Sequence, residues 1–180
     1  MTCRNHKMTS GALAAALLAG CAGPSVAATS DVDVDALHLA LDDEYRAEAT
    51  YAAVIDAFGP VRPFVNIIEA ERRHADRVKA DMDRLGITYD RDNPHLGKIA
   101  APTSLLAACE QGVDAEIENI ALYDRLLPTI EDASVLATLT ALQRASQEKH
   151  LPAFERCVAR GGEMGSGQGR GQGRRRGSNQ

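Results

Sequence analysis

Residues 44–51 read EYRAEATY and residues 71–74 read ERRH; residues 116–123 read EIENIALY and residues 147–150 read QEKH. Each pair has the same layout. A glutamate (Glu44, Glu116) is followed seven residues later by a tyrosine (Tyr51, Tyr123). Further on, a carboxylate or amide (Glu71, Gln147) stands three residues before a histidine (His74, His150). Residues three, four and seven apart share one face of a helix. A carboxylate from one helix and a carboxylate-x-x-His pair from the next, supplied twice, is how helical bundles build two-metal sites in their cores. Either half alone is a weak match, but the two support each other.

Working outward from these motifs, the spacing predicts four helices. The first begins within Asp31 to Asp35, whose acids suit a helix N-terminus, and carries Leu37, Leu41, Glu44, Glu48, Tyr51, Ile55 and Phe58 on one stripe until Gly59-Pro60. The second runs from Pro63 to Leu85 with Phe64, Ile68, Glu71, Ala75, Val78, Met82 and Leu85 inward, and Gly86 stops it. The third opens at Thr103 or Ser104 with Leu106, Cys109, Val113, Glu116, Ile120, Tyr123 and Leu127 in line. The fourth covers Asp132 to Ala159 with Leu136, Leu139, Leu142, Ser146, His150, Phe154 and Val158 towards the core. Such stripes face an interior. Aligned on the tyrosines, the first and third stripes overlay, so the chain has an approximate internal two-fold. Residues 86–103 carry no helical period, and a gap of that length is long for a compact domain. A bundle whose second and third helices run parallel needs such a crossover.

The ends differ from this body. Residues 1–30 have a basic start (Arg4, Lys7), an apolar run from Gly11 to Gly20 and Leu18-Ala19-Gly20-Cys21, which looks like a bacterial lipobox. Export with lipidation at Cys21 is expected, and acyl chains there would hold the protein at a membrane surface. The competing readings are cleavage after Ser25-Val26-Ala27, giving a free secreted product, and a disordered cytosolic leader. The apolar run is too short for a stable span, which needs about 20 residues. Residues 161–180 are Gly-rich with Arg170 and Arg174 to Arg176, a composition expected to be disordered. The bundle domain is 31–160. Between Asp31 and Ala159 there are 24 acidic against 13 basic residues, a balance of −11. No nucleic-acid partner is expected for so acidic a body.

A carboxylate in an apolar stripe costs several kcal/mol unless it is paired, protonated or bound to a cation. Glu44, Glu71 and Glu116 all lie mid-stripe, and His74 and His150 join them. Carboxylate oxygen with imidazole nitrogen suits iron or manganese better than zinc. Two iron ions, or two of manganese, are therefore the expected cofactors. Tyr51 and Tyr123 either hydrogen-bond the ligands and relay electrons, as catalytic candidates, or fill the core. Glu48, Glu69, Glu110 and Glu118 read as solvated or rim residues, and His38 and His95 have no evident partner.

The segments ALDDEYRAEATYAAVIDAFGPVRPFVNIIEAERRH, AEIENIALYDRLL and LQRASQEKHLPAFERC resemble a bacterial ferritin-like family known as domain of unknown function 2202, and more distantly ferritins and rubrerythrins. The likeness spans nearly all of residues 33–159. It implies an all-α, ferritin-like four-helix bundle, up-down-down-up, with a long crossover between helices 2 and 3. It also implies a diiron-type centre with Glu44 and Glu116 as single-helix ligands, Glu71 and His74 as one paired motif with Glu71 a candidate bridge, and Gln147 and His150 as the other. Gln147 departs from the pattern, because an amide cannot supply a bridging charge. The second metal is then weaker, carries an extra water or recruits Glu48 or Glu118; a mononuclear site at Glu71 and His74 is the limiting case.

Cys109 precedes Glu116 by seven residues and Cys157 follows His150 by seven. On antiparallel third and fourth helices both fall at one end, which points to a disulfide in an exported protein. Two buried thiols and a redox pair are the other readings. The expected function is a ferroxidase or an oxidoreductase acting with O2 or peroxide, lipid-anchored to the envelope and facing the periplasm or the cell exterior. The rivals are a metal-sequestering or sensing module without turnover, and a metal-free interaction bundle. The expected partners are metal ions, O2 or peroxide, the membrane through the lipid anchor alone, and a second copy in a homodimer.

Overall fold

All four runs with helical spacing form helices. In the computed structural model, which describes residues 29–163, α1 spans Asp31–Phe58, α2 Phe64–Leu85 and α3 Leu105–Leu126. The fourth rod is built in three pieces: α4 (Ala133–Ala145), a π-helical turn (Ser146–His150) and α5 (Leu151–Ala159). The molecule is all-helical, with no strand among the described residues. The lipobox with Cys21 and the basic tail lie outside those residues. No described helix is long and apolar enough to cross a membrane.

The boundaries follow from local chemistry. The Ser104 hydroxyl accepts from the Ala107 amide at 3.1 Å, and the Asp132 carboxylate accepts from Ser134 and Val135 at 2.9 and 3.0 Å, so both helices start on capped amides. Gly86 ends α2 in the left-handed conformation (φ 70°), with the Ile87 amide returning to the Met82 carbonyl.

Two apolar clusters give the helix directions. One joins Leu37 and Leu41 near the start of α1 to Val78 and Met82 at the end of α2, Tyr123 late in α3, and Val135 and Leu139 in α4. The other joins Tyr51 and Val54 of α1 to Phe64 and Ile67 opening α2, Cys109 opening α3, and Phe154 and Cys157 of α5. So α1 and the fourth rod point one way, and α2 and α3 both point the other. Residues 86–104 are the crossover that this arrangement requires. It is tied to the outside of α1: the Tyr45 hydroxyl donates to the carbonyls of Asp90 (3.0 Å) and Arg91 (2.9 Å), and the Asn93 amide donates to the Tyr45 carbonyl (2.7 Å) and to Glu48 (2.9 Å). His95 in this strap pairs with Asp42 at 2.7 Å, a partner the sequence did not reveal. At the far end, buried Asp33 accepts the amides of Glu131 and Asp132 at 2.9 and 3.0 Å, anchoring α1 to the start of α4.

The fourth rod departs from regular spacing. Val135 rather than Leu136 enters the core; Leu136 is 39 % exposed. The amide of Leu151 bonds to the carbonyl of Ser146, five residues back. Pro152 accounts for the wider turn, because it has no amide to offer the Glu148 carbonyl and its ring crowds that position. Widening turns Ser146 and His150 inward together, and Gln147 is exposed. The expectation that Gln147 and His150 share one inward face is therefore corrected: Gln147 lies on the surface, away from the other candidate ligands.

Candidate metal centre

Between the two apolar clusters the stripes of all four rods change from hydrocarbon to charge. Glu44, Glu71, His74, Glu116 and His150 are all buried there. They form two triads, Glu44–Glu71–His74 and Glu71–Glu116–His150, in each of which one ligand atom per residue lies within 4.8 Å of the others. Glu71 belongs to both. Its Oε2 is 2.9 Å from His74 Nδ1 and its Oε1 is 3.1 Å from His150 Nδ1. Glu44 Oε2 approaches His74 Nδ1 at 3.3 Å, and Glu116 Oε1 approaches His150 Nδ1 at 3.6 Å. The imidazole rings stack with centroids 5.5 Å apart. These five groups are close enough to bind metal.

The tyrosines brace this layer crosswise. The Tyr123 hydroxyl of α3 donates to Glu44 Oε1 of α1 at 2.9 Å, and the Tyr51 hydroxyl of α1 donates to Glu116 Oε1 of α3 at 3.0 Å. Each bond fixes a carboxylate rotamer: Glu44 keeps its second oxygen, Oε2, toward His74, whereas Glu116 presents the same Oε1 to Tyr51 and to His150. Tyr51 also packs against Phe64 and Phe154, with ring centroids 5.8 and 5.3 Å away, so it fills the core as well.

Burial and crowding reshape the charges. Burial, reinforced by the neighbouring Glu71 charge, raises Glu44 to about 8. Burial acts upwards on Glu71 too, but the imidazoles of His150 and His74 beside it prevail and hold it at about 2. Burial alone would lower both histidines; the adjoining carboxylates overcome it and raise His74 to about 9 and His150 to about 10. Both tyrosine hydroxyls are pushed well above their ordinary value, first by burial and then by the glutamates they serve. In the metal-free molecule, protons on the imidazoles and on Glu44 stand where cations would balance the acids.

The donor set fits a pair of divalent cations. His150 Nδ1 is buried and sits among carboxylates, yet has no aligned hydrogen-bond partner. A nitrogen placed in that way is a ligand in waiting. Glu71, one oxygen toward each imidazole, is placed to bridge. Glu44 with His74 would complete one site, and Glu116 with His150 the other.

Two residues of the centre's surroundings, Asp43 and Asn119, were not anticipated, and they join Ser146, which the helical stripe places inward. Asn119 donates to Asp43 and accepts from the Ser146 hydroxyl at 2.8 Å, joining α1, α3 and the π turn beside the glutamates. Burial raises the Asp43 carboxyl, with the Asn119 bond working against it. Asp43 had a legible signal, being the acid next to Glu44; Asn119 had none. All three line a pocket of about 280 Å³ between α1 and α3 that leads to Glu44, Glu71 and Glu116. Of the acids proposed to replace a bridging carboxylate at Gln147, Glu48 is held by Arg72 (2.8 Å) and Asn93, and Glu118 is exposed. Glu69 pairs with Arg72 at 2.6 Å on the surface, and Glu110 is exposed.

Seven residues from Glu116 and His150 and at the same end of the bundle, Cys109 and Cys157 form the disulfide, with Cα atoms 5.8 Å apart. It closes the end of the bundle below the aromatic group of Tyr51, Phe64 and Phe154.

No protein-family model matches the chain, and no curated protein matches it significantly. Among solved structures it is similar to a hypothetical protein from Methanococcus jannaschii, with a TM-score of 0.66 at 20% sequence identity, covering 76% of this chain and 85% of that one. A likeness at that identity speaks for a shared helical fold.

Proposed function

We propose that the protein is an exported, ferritin-like bundle that holds two iron or manganese ions and works as a ferroxidase or as an oxidoreductase using O2 or peroxide. The observation that carries this reading is the placement of Glu71, one carboxylate oxygen toward each of two buried imidazoles and a further glutamate beyond each. The helix directions support it, since parallel second and third helices joined by a long crossover are the ferritin-like arrangement. The disulfide supports an oxidising compartment, in keeping with a lipobox at Cys21. Bound in such a carboxylate–imidazole cage, iron or manganese would supply one-electron chemistry with dioxygen or peroxide.

The chain's own residues prepare that site. Glu71, common to both triads, would hold a metal at either position. His74 and His150 orient through Nδ1, and Tyr51 and Tyr123 keep Glu116 and Glu44 from swinging away. The apolar clusters above and below exclude bulk water from the layer. Asp43, Asp114 and Glu118 at the α1–α3 pocket make that side the path for a cation.

Metal analysis of the purified chain after loading and dialysis tests the reading. Two iron or manganese ions per chain are expected for the wild type, and Glu71→Ala is expected to retain less than a tenth of that. Oxygen uptake on adding Fe(II), proportional to protein, is expected of the wild type alone. Full metal retention by Glu71→Ala defeats the centre, and retention without uptake reduces the protein to a metal-sequestering module.

A further inference from the structure

On the side of the centre opposite the acidic pocket, α2 and the fourth rod enclose a second pocket of about 430 Å³. His74 and His150 form its floor; Arg73, Arg77 and Lys149 stand around it, and no aspartate or glutamate lines it. That is unusual on a chain of formal net charge −5. Five other basic side chains are matched, Arg72 with Glu48, Lys79 with Asp76, Arg84 with Asp81 and Asp132, Arg91 with Asp83 and Arg144 with Glu148, and what distinguishes this pocket is three unmatched cations around one cavity. Among the described residues, Arg73, Arg77 and Lys149 pair with no carboxylate. Arg73 and Arg77 lie four apart on α2 and so share a face, where like charges repel unless an anion comes between them. The π turn sets Lys149 beside His150, opposite them. Ala141, Ala145 and Ala153 leave the room between the two walls.

We propose that this pocket binds a small inorganic oxyanion against the imidazole side of the centre. Guanidinium forks match the paired oxygens of a tetrahedral oxyanion, and three unpaired cations repel any metal approaching from this side. With Nδ1 of each histidine committed to the carboxylates, the nitrogen left for the pocket is Nε2. On an imidazolium, and equally on an imidazole whose Nδ1 holds a metal, Nε2 carries a proton and donates. These contacts and those of the arginines and lysine stand without any metal and do not rest on the function proposed above. The two faces of the layer thus have opposite charge, one admitting cations and the other holding an anion.

Sulfate is a suitable probe, being tetrahedral and compatible with Mn(II). Calorimetric titration of the full chain at fixed ionic strength is expected to show saturable binding of one sulfate. The double substitution Arg73→Gln/Arg77→Gln is expected to weaken it at least tenfold, whereas Arg125→Gln, an exposed change elsewhere on α3, leaves it unaltered. No saturable binding, or equal loss in the Arg73/Arg77 and Arg125 variants, overturns the proposal. If manganese fails to bind while metal-free chain still takes up sulfate in the Arg73/Arg77-dependent way, the anion pocket stands and the metal-centre reading falls.

Discussion

Glu71 owes its behaviour to two neighbours rather than to its burial. Held at about 2 against an ordinary 4.5, it lends stability that is present above about pH 4.5 and is lost as pH falls from there towards 2. The other three groups act in the opposite sense. Glu44 at about 8, His74 at about 9 and His150 at about 10 are favoured in their protonated forms by the fold. What Glu44 lends is complete below 4.5 and what the histidines lend is complete below 6.5; both fall away as pH rises to 8 and to about 10. Metal-free protein should therefore be most stable near pH 5 and should lose stability, on the order of a few kcal/mol, by pH 10. Thermal midpoints across that range check this, and a flat profile would count against it. Metal must displace the same protons, so its affinity should climb by about tenfold per pH unit for each proton released between pH 7 and 9. Calorimetry in buffers of different ionisation heat counts those protons directly.

At the scale of elements, α3 and α5 pack tightly at Gly112. A methyl group on Gly112 would come within 2.5 Å of the Phe154 ring, and Phe154 is locked among Tyr51 and Phe64. Gly112→Ala is expected to cost about 1–3 kcal/mol, seen as a lowered thermal midpoint. A neutral result would mean the two helices can part without penalty. The stripes of α1, α2 and α3 were legible because Leu, Ile and Val recur with Glu44, Glu71 and Glu116 at unbroken three-and-four spacing. So were the caps at Ser104 and Asp132 and the cysteine pair. The fourth rod was legible at Leu139, Leu142, Ser146, His150 and Phe154, all of them buried, but not at Gln147, since the turn widens at Ser146 and the motif read from Glu71 carries Gln147 inward. Pro152 was the available signal: a proline deep in a helical run announces a break in the ladder one turn earlier. The polar anchors of Asp33 and Asn119 were hidden for a different reason. They satisfy partners far away in the chain, and no local pattern encodes them.

At the scale of the whole molecule, the described residues are held by two oily clusters separated by a charged layer, with one covalent tie among them. The Cys109–Cys157 bond spans 48 residues of chain, for which loop-closure entropy predicts about 4 kcal/mol. Cys109→Ala/Cys157→Ala should lose most of that in a denaturant titration while retaining helical circular dichroism and metal; loss of metal together with the bond would tie the cysteines to the centre's chemistry. The hydroxyls of Tyr51 and Tyr123 give the internal repeat a further meaning. Each hairpin spends its tyrosine on the glutamate of the other, so neither is self-sufficient. Severed within the crossover, the chain would yield two pieces, each with a phenol lacking its acceptor and an acid lacking its brace. Such fragments would find each other again, or double up on themselves, sooner than persist as solitary halves.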